Sequence, residues 1–459
     1  MAGIGFVLRR LANREDLTGI LQGYLFSAVI SSGPWLFTII ALGSMEMFGS
    51  LFVSHGLLSD FRLVVIYNFG FSLVTTGPVY MVCTRYLSDL IYAKKVQHTP
   101  GMLMGSLLLI LVYQAVISGW FYFYQVEMQP YFRWAAFINY LLICLIWQVT
   151  IFLTALKDYT AISITFALGL ILALLAAIAM VPLFGAAGMM TGFNIGLLII
   201  FSSICARIFA EFPYPFIQPF AFLSYFRRYW ELAAAGALYN LASWIDKWVM
   251  WFAPEREYSP AGMFSFPNYD TPMFLALLTV VPAMAYFLFN IETAFFERYL
   301  SFFRNIGQHS TYAHIRNSHQ AILRVIYSNG RNLIIIQGGI AFVAIMTAPK
   351  LLPMLHLSHL QLGIFRLAVL GVFFQTLSLF LMVVLTYFDA RKLVVWVLMT
   401  FLVTNLLFSI ISLNLGFTYY GLGYVLSTII TFATAFMVTL RFIHKLPYMT
   451  FVRNNTSIT

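Results

Sequence analysis

Charge is what this chain has least of: 9% of its 459 residues are Asp, Glu, Lys or Arg, against about a quarter in an ordinary soluble domain. Because 61% of the residues are hydrophobic, too little polar surface exists to cover a globule, and a water-soluble fold is excluded. Cysteine is scarce as well. Cys83, Cys144 and Cys205 show no paired spacing, so neither a disulfide frame nor a zinc knuckle is implied, and they read as packing residues. There is no Walker motif, so energy from nucleotide hydrolysis would have to be supplied by another protein. His309, His314 and His319 stand five apart, a rotation of about 140° per step on a helix that cannot gather three rings on one ion. His356 and His359 could share a face, but no Cys or carboxylate lies near them in sequence. No metal and no cofactor is expected.

What the chain has instead is twelve apolar stretches, at roughly 20–45, 62–84, 101–125, 134–156, 160–182, 188–206, 229–252, 271–293, 332–349, 363–386, 393–414 and 420–440. Each is long enough to cross about 30 Å of hydrocarbon. The 26 Lys and Arg then fall on alternate sides very unequally. Only Arg62, Arg133, Arg256 and Lys350 lie opposite the N-terminus, while Lys247 and Arg366 fall inside apolar stretches. The positive-inside rule therefore places both termini of a multi-pass membrane protein in the cytoplasm. The net charge of +10 is mostly this loop bias, an attraction to anionic lipid rather than to nucleic acid. Arg9 to Arg14 precede a first apolar segment with no small-residue cleavage pattern after it, so that segment is expected to stay as a span.

The second half repeats the first weakly. Leu153-Thr154-Ala155-Leu156-Lys157-Asp158 is echoed by Leu385-Thr386-Tyr387-Phe388-Asp389-Ala390, and a glycine turn follows each, at Gly185–Gly188 and Gly416–Gly421. Two six-helix lobes around a central cavity, 1–226 and 227–459, are the economical reading, related by an axis along the membrane normal. The fold class expected is an all-α polytopic membrane protein with 12 transmembrane helices.

The seventh stretch contains both a carboxylate and an ammonium. On a helix Tyr239, Asn240, Ser243, Asp246 and Lys247 share one arc, and Trp244, Trp248 and Trp251 share the next. A charge facing lipid costs roughly 3 kcal/mol at mid-span, so the polar arc should face protein or water. As adjacent residues, Asp246 and Lys247 are not expected to neutralise one another well. Two arrangements fit: a transport cavity with indole faces for sugar rings, or an interhelical ion pair beside an interfacial tryptophan belt. The first stretch adds Tyr24, Ser27, Ser31 and Thr38 on one face, with a kink expected at Gly33-Pro34. Arg366 and Glu292, near the ends of their spans, complete the candidate cavity residues. No dense relay of carboxylates is visible in the spans, and the outer loops hold only scattered ones such as Asp60, Glu127, Glu255, Glu257 and Asp270. A membrane glycosyltransferase would need a cluster of them, so no enzymatic activity is expected.

The longest inner connection, 294–331, interleaves Arg298, Arg304, Arg316, Arg324 and Arg331 with Ile322, Leu323 and Ile326. It is expected to form cytoplasmic amphipathic helices within the C-terminal lobe. Their apolar face, with Arg316, Ile322, Leu323 and Ile326, would dock a cytosolic partner or rest on the membrane surface.

Longer phrases carry a resemblance. Met1-Ala2-Gly3-Ile4-Gly5-Phe6 with Leu8-Arg9, Ser32-Gly33-Pro34-Trp35, Thr84-Arg85-Tyr86-Leu87-Ser88-Asp89, Trp244-Ile245-Asp246-Lys247, Tyr269-Asp270-Thr271-Pro272-Met273-Phe274-Leu275-Ala276 and Ile291-Glu292-Thr293 resemble the PelG family of Pel exopolysaccharide inner-membrane transporters. The resemblance spans essentially the whole length. It implies the multidrug/oligosaccharidyl-lipid/polysaccharide flippase superfamily, a polysaccharide substrate of the biofilm matrix, a cytosolic Pel glycosyltransferase as partner, and small inner-membrane scaffold proteins of a synthase complex. It does not imply a role for any single residue. A flippase for lipid-linked oligosaccharide and a non-transporting scaffold for the glycosyltransferase are the alternatives. Coupling is open between a proton gradient, titrating Asp246 or Glu292, and elongation of the polymer itself.

Overall fold

The computed structural model describes residues 17–156, 159–355 and 357–448, and they are almost wholly helical. The main helices are α1 (Leu17–Gly49), α2 (His55–Tyr92), α3 (Thr99–Trp120), α4 (Pro130–Leu156), α5 (Tyr159–Glu211), α6 (Leu223–Arg228) and α7 (Trp230–Met250). A two-stranded antiparallel hairpin, β1 (Glu257–Tyr258) with β2 (Phe264–Ser265), comes next. Then follow α8 (Pro267–Leu278), α9 (Val281–Asn290), α10 (Phe296–Gly307), α11 (Tyr312–Met354), α12 (His359–Tyr387), α13 (Arg391–Leu415) and α14 (Leu422–His444). In lipid only internally bonded backbone is tolerated, which is why apolar runs of this length become helices.

The expected spans fall on α1, α2, α3, α4, the two halves of α5, α7, α8 with α9, α11, α12, α13 and α14. By length and composition alone, nine helical stretches among the described residues can cross a membrane. The α5 helix bends at Gly185, whose φ of 58° and ψ of −138° are non-helical, where the sequence shows a glycine turn. Gly416 and Gly421 also have positive φ, 93° and 92°. In the echoed segment Lys157 and Asp158 lie outside the described residues. The kink expected at Gly33-Pro34 does not end α1, which is one helix of 33 residues. The Thr38 hydroxyl donates to the Pro34 carbonyl at 2.8 Å.

The chain divides into two compact units. Among the described residues, the first holds Ser32–Trp244 and Trp251–Pro267; the second holds 17–31, Ile245–Met250 and 268–448.

In the first unit α4 packs against α2, α3 and α5. The α2 and α7 backbones touch where glycine faces glycine: a Cβ on Gly77 would stand 2.5 Å from the Gly236 carbonyl oxygen, which no side chain can occupy. In the second unit α14 packs against α12 and α13, and α11 against α10 and α12. The 43 residues of α11 reach about 65 Å, roughly twice the hydrocarbon thickness. The inner connection is therefore not a pair of surface helices. Only α10 is a separate amphipathic helix, and residues 312–331 are the first part of a span helix that extends beyond the membrane.

Candidate functional site

Asp246 and Lys247 sit in the last turns of α7, in the second unit, with relative exposures of 0% and 8%. The Lys247 Nζ lies 3.2 Å from Asp246 Oδ1 and 3.1 Å from Oδ2. This corrects the expectation that neighbours on a helix would not neutralise each other. Their Cβ atoms do diverge, but the four-carbon lysine stem is long and flexible enough to fold back over the preceding carboxylate. The two charges thus meet within one helix, away from open water.

Three further elements close around it. From α8 the Tyr269 hydroxyl donates to Asp246 Oδ2 at 3.0 Å, so both carboxylate oxygens are satisfied, one of them twice. From α14 the Tyr424 ring lies with its centroid 5.9 Å from Lys247 Nζ, a cation–π distance. The Tyr424 hydroxyl in turn donates to Gln375 Oε1 on α12. Tyr424 lies flush on α12 because residue 371 is glycine; a Cβ there would approach its ring to 2.3 Å. One carboxylate, one ammonium, two phenols and one amide thereby tie α7, α8, α12 and α14 together. Removing one member of such a buried pair costs about 3–5 kcal/mol, because the remaining charge is left without compensation.

The other candidates are placed elsewhere. Tyr239, Asn240, Ser243 and Trp244 belong to the first unit. Asn240 Nδ2 donates to the Leu73 carbonyl at 2.9 Å and the Gly236 carbonyl at 3.0 Å, Ser243 donates to the Tyr239 carbonyl at 2.9 Å, and the Trp244 ring packs over Gly70. Asn240 and Trp244 thus join the packing of α7 against α2. Trp248 is part-buried. Trp251 stacks on Tyr67 of α2 at 4.6 Å with 8° between the planes. Ser27 is fully buried and Tyr24 stacks on Tyr286 at 6.1 Å, both in the second unit. Arg366 is part-buried near the start of α12, and its Nε has no hydrogen-bond partner among the described residues. Pro34 is part-buried in α1. The side chains of Ser31 and Glu292 lie outside the described residues.

The expected docking face is turned inward. Ile322 is 0% and Ile326 9% exposed, Leu323 is part-buried, and only Arg316 of the four is exposed. The apolar stripe of α11 is consumed within the chain: His319, one turn away, bonds the Ile443 carbonyl of α14 at 2.9 Å and lies 6.2 Å from the Phe302 ring of α10.

Sequence reasoning missed a neutral network in the first unit. Asn68 Nδ2 donates to Asn139 Oδ1 at 2.9 Å, Asn139 Nδ2 donates to Asn194 Oδ1 at 2.8 Å, Asn194 Nδ2 donates to the Ala135 carbonyl at 2.8 Å, and Tyr122 donates to Asn68 Oδ1. Nearby, Gln114 donates to Thr75 Oγ1 at 2.8 Å and accepts from Tyr140 at 2.9 Å. The available signal was the placement of Asn68, Gln114, Asn139 and Asn194 within separate apolar stretches.

The sequence matches the family model PelG, exopolysaccharide exporter (EPS-E), over residues 1–451. No curated protein matches it. Among solved structures the fold is similar to a MOP superfamily transporter from Pyrococcus furiosus, at 12% identity over 93% of this chain and 96% of that one, with a TM-score of 0.63. It is similar to an outward-facing multidrug resistance MATE family transporter of the MOP superfamily, at 12% identity over 96% and 98% with a TM-score of 0.63. A third is the Vibrio cholerae MATE transporter VcmN in its bent form, at 12% identity over 92% and 98% with a TM-score of 0.57. At such identity the likeness shows the fold, a multi-pass membrane transporter fold.

Proposed function

The chain belongs to the PelG family of exopolysaccharide exporters, and from that premise we propose that it conducts a growing Pel-type polysaccharide across the bacterial inner membrane as a cytosolic glycosyltransferase extends it. The observation that carries this reading is the match of residues 1–451 to an exporter family, supported by a transporter fold. The chain itself performs no catalytic step in this reading. It keeps both termini in the cytoplasm, works with small inner-membrane scaffold proteins, and consists of two six-helix halves. The polymer passes without a lipid anchor. The glycosyltransferase meets the exposed basic side of α11, where Arg316 and Arg324 lie, rather than the buried Ile322 and Ile326.

Within this reading the Asp246–Lys247 cluster contributes as a neutralised clamp, since side chains exposed by 0% and 8% offer little surface to a sugar. Its role is to hold α7, α8, α12 and α14 in register while the transporter works. The test is a strain lacking the chain. It should retain polymer synthesis in the cytoplasm and secrete none, and export should return with the wild-type chain. Normal secretion without the chain would overturn the proposal.

A further inference from the structure

Asp246 has no exposed surface, a setting in which a carboxylate needs a positive partner. Among the described residues, the ionisable groups near it include Lys247 on α7, Tyr269 and Asp270 on α8, and Tyr424 on α14; Gln375 on α12 is neutral. Of these only Lys247 brings positive charge, and it reaches both carboxylate oxygens, at 3.1 and 3.2 Å. Those two oxygens are where a small monovalent cation would bind. The phenol of Tyr269 completes the oxygen-rich side, and the ring of Tyr424 offers a face that suits a cation.

We propose that Lys247 is a tethered counter-cation: its ammonium fills a monovalent-cation site made by Asp246, Tyr269 and Tyr424, so that this carboxylate binds no sodium during transport. The inference rests on the transport reading for its meaning, but ion binding is measured without any polymer, so failure of one is separable from failure of the other. A tethered ammonium acts at a very high effective concentration, which a free ion at cellular levels does not match. Removing the ammonium and keeping the carboxylate would then open the site.

The experiment uses the full chain purified in lipid nanodiscs. Retention of radioactive sodium is measured over a range of sodium concentrations. The wild-type chain is expected to retain no saturable sodium. Lys247→Met should gain saturable sodium binding, with an affinity above that of Asp246→Asn/Lys247→Met by about tenfold or more, the scale of a single charge-assisted contact. Sodium retention in the wild type that Asp246→Asn abolishes would overturn the proposal, and this comparison stands even if Lys247→Met does not fold. A folded Lys247→Met chain that gains no sodium binding would also overturn it.

Discussion

Lys247 folds back along its own helix to place Nζ 3.1 and 3.2 Å from the two oxygens of Asp246, the residue immediately before it. The carboxylate thus meets an ammonium of its own helix, and Tyr269 of α8 adds a hydrogen bond to it while the ring of Tyr424 of α14 faces the ammonium.

The first prediction follows from that closure. Asp246→Asn and Lys247→Met should each lower the thermal stability of the purified chain by about 3–5 kcal/mol, because each leaves one buried charge uncompensated. The double variant should recover a large part of the loss. Additive losses in a double-mutant cycle would show that the two side chains are not coupled.

Tyr269 supplies one charge-assisted bond to Asp246. Tyr269→Phe should cost about 1.5–3 kcal/mol and leave membrane insertion intact. In a background already lacking the carboxylate, Asp246→Asn, the same change should cost measurably less. Equal costs in both backgrounds would assign Tyr269 to packing alone.

The inward turn of Ile322 reverses the meaning of a mutation that the sequence suggested for partner binding. Ile322→Ser should destabilise the chain by about 2–4 kcal/mol, by losing buried apolar surface and burying a hydroxyl. Arg316→Glu with Arg324→Glu, both exposed, should leave stability unchanged and weaken co-purification of the glycosyltransferase. Full co-purification would remove this face of α11 from the partner surface.

Asn139 accepts from Asn68 and donates to Asn194. Asn139→Leu should therefore take the donor from Asn194 Oδ1 and one of the two acceptors from Asn68 Nδ2, which keeps the Ala136 carbonyl, at about 1–3 kcal/mol for an unsatisfied group, and thermal unfolding of the variant measures it. Gly77→Val is expected to be worse, since its Cβ would meet the Gly236 carbonyl of α7 at 2.5 Å. A neutral outcome at either position would contradict the packing described for the first unit.

Hydropathy and charge made the helical membrane fold legible because both act locally along the chain: the expected stretches fall on helical segments, the eighth divided between α8 and α9, and the glycine turn at Gly185 is a true break. The longer phrases made the exporter family legible. The candidate site was readable only in part. Asp246 and Lys247 stand out as charges among apolar residues, but whether a lysine extends away or folds back depends on what surrounds it, and spacing alone favoured the wrong answer. Tyr424 and Gln375 are far from Asp246 in sequence, and only the packing of α12 and α14 brings them near. Amphipathic periodicity predicted the apolar stripe of α11 correctly, yet periodicity cannot say whether a stripe meets the chain's own helices or a partner. The Asn68–Asn139–Asn194 network escaped notice because isolated amides barely alter the hydropathy of a long apolar stretch, and their pairing spans three helices.

The central claim, export of polysaccharide through this chain, is tested most directly in inverted inner-membrane vesicles that carry the chain together with its synthase complex. Labelled sugar nucleotide is added outside, on the cytoplasmic face, and the polymer formed is then challenged with an external glycoside hydrolase. The account predicts polymer that is protected inside the vesicles, free of lipid anchor, and lost from the lumen when this chain is omitted. Polymer that stays outside and digestible with the chain present, or that accumulates inside without it, would contradict the account.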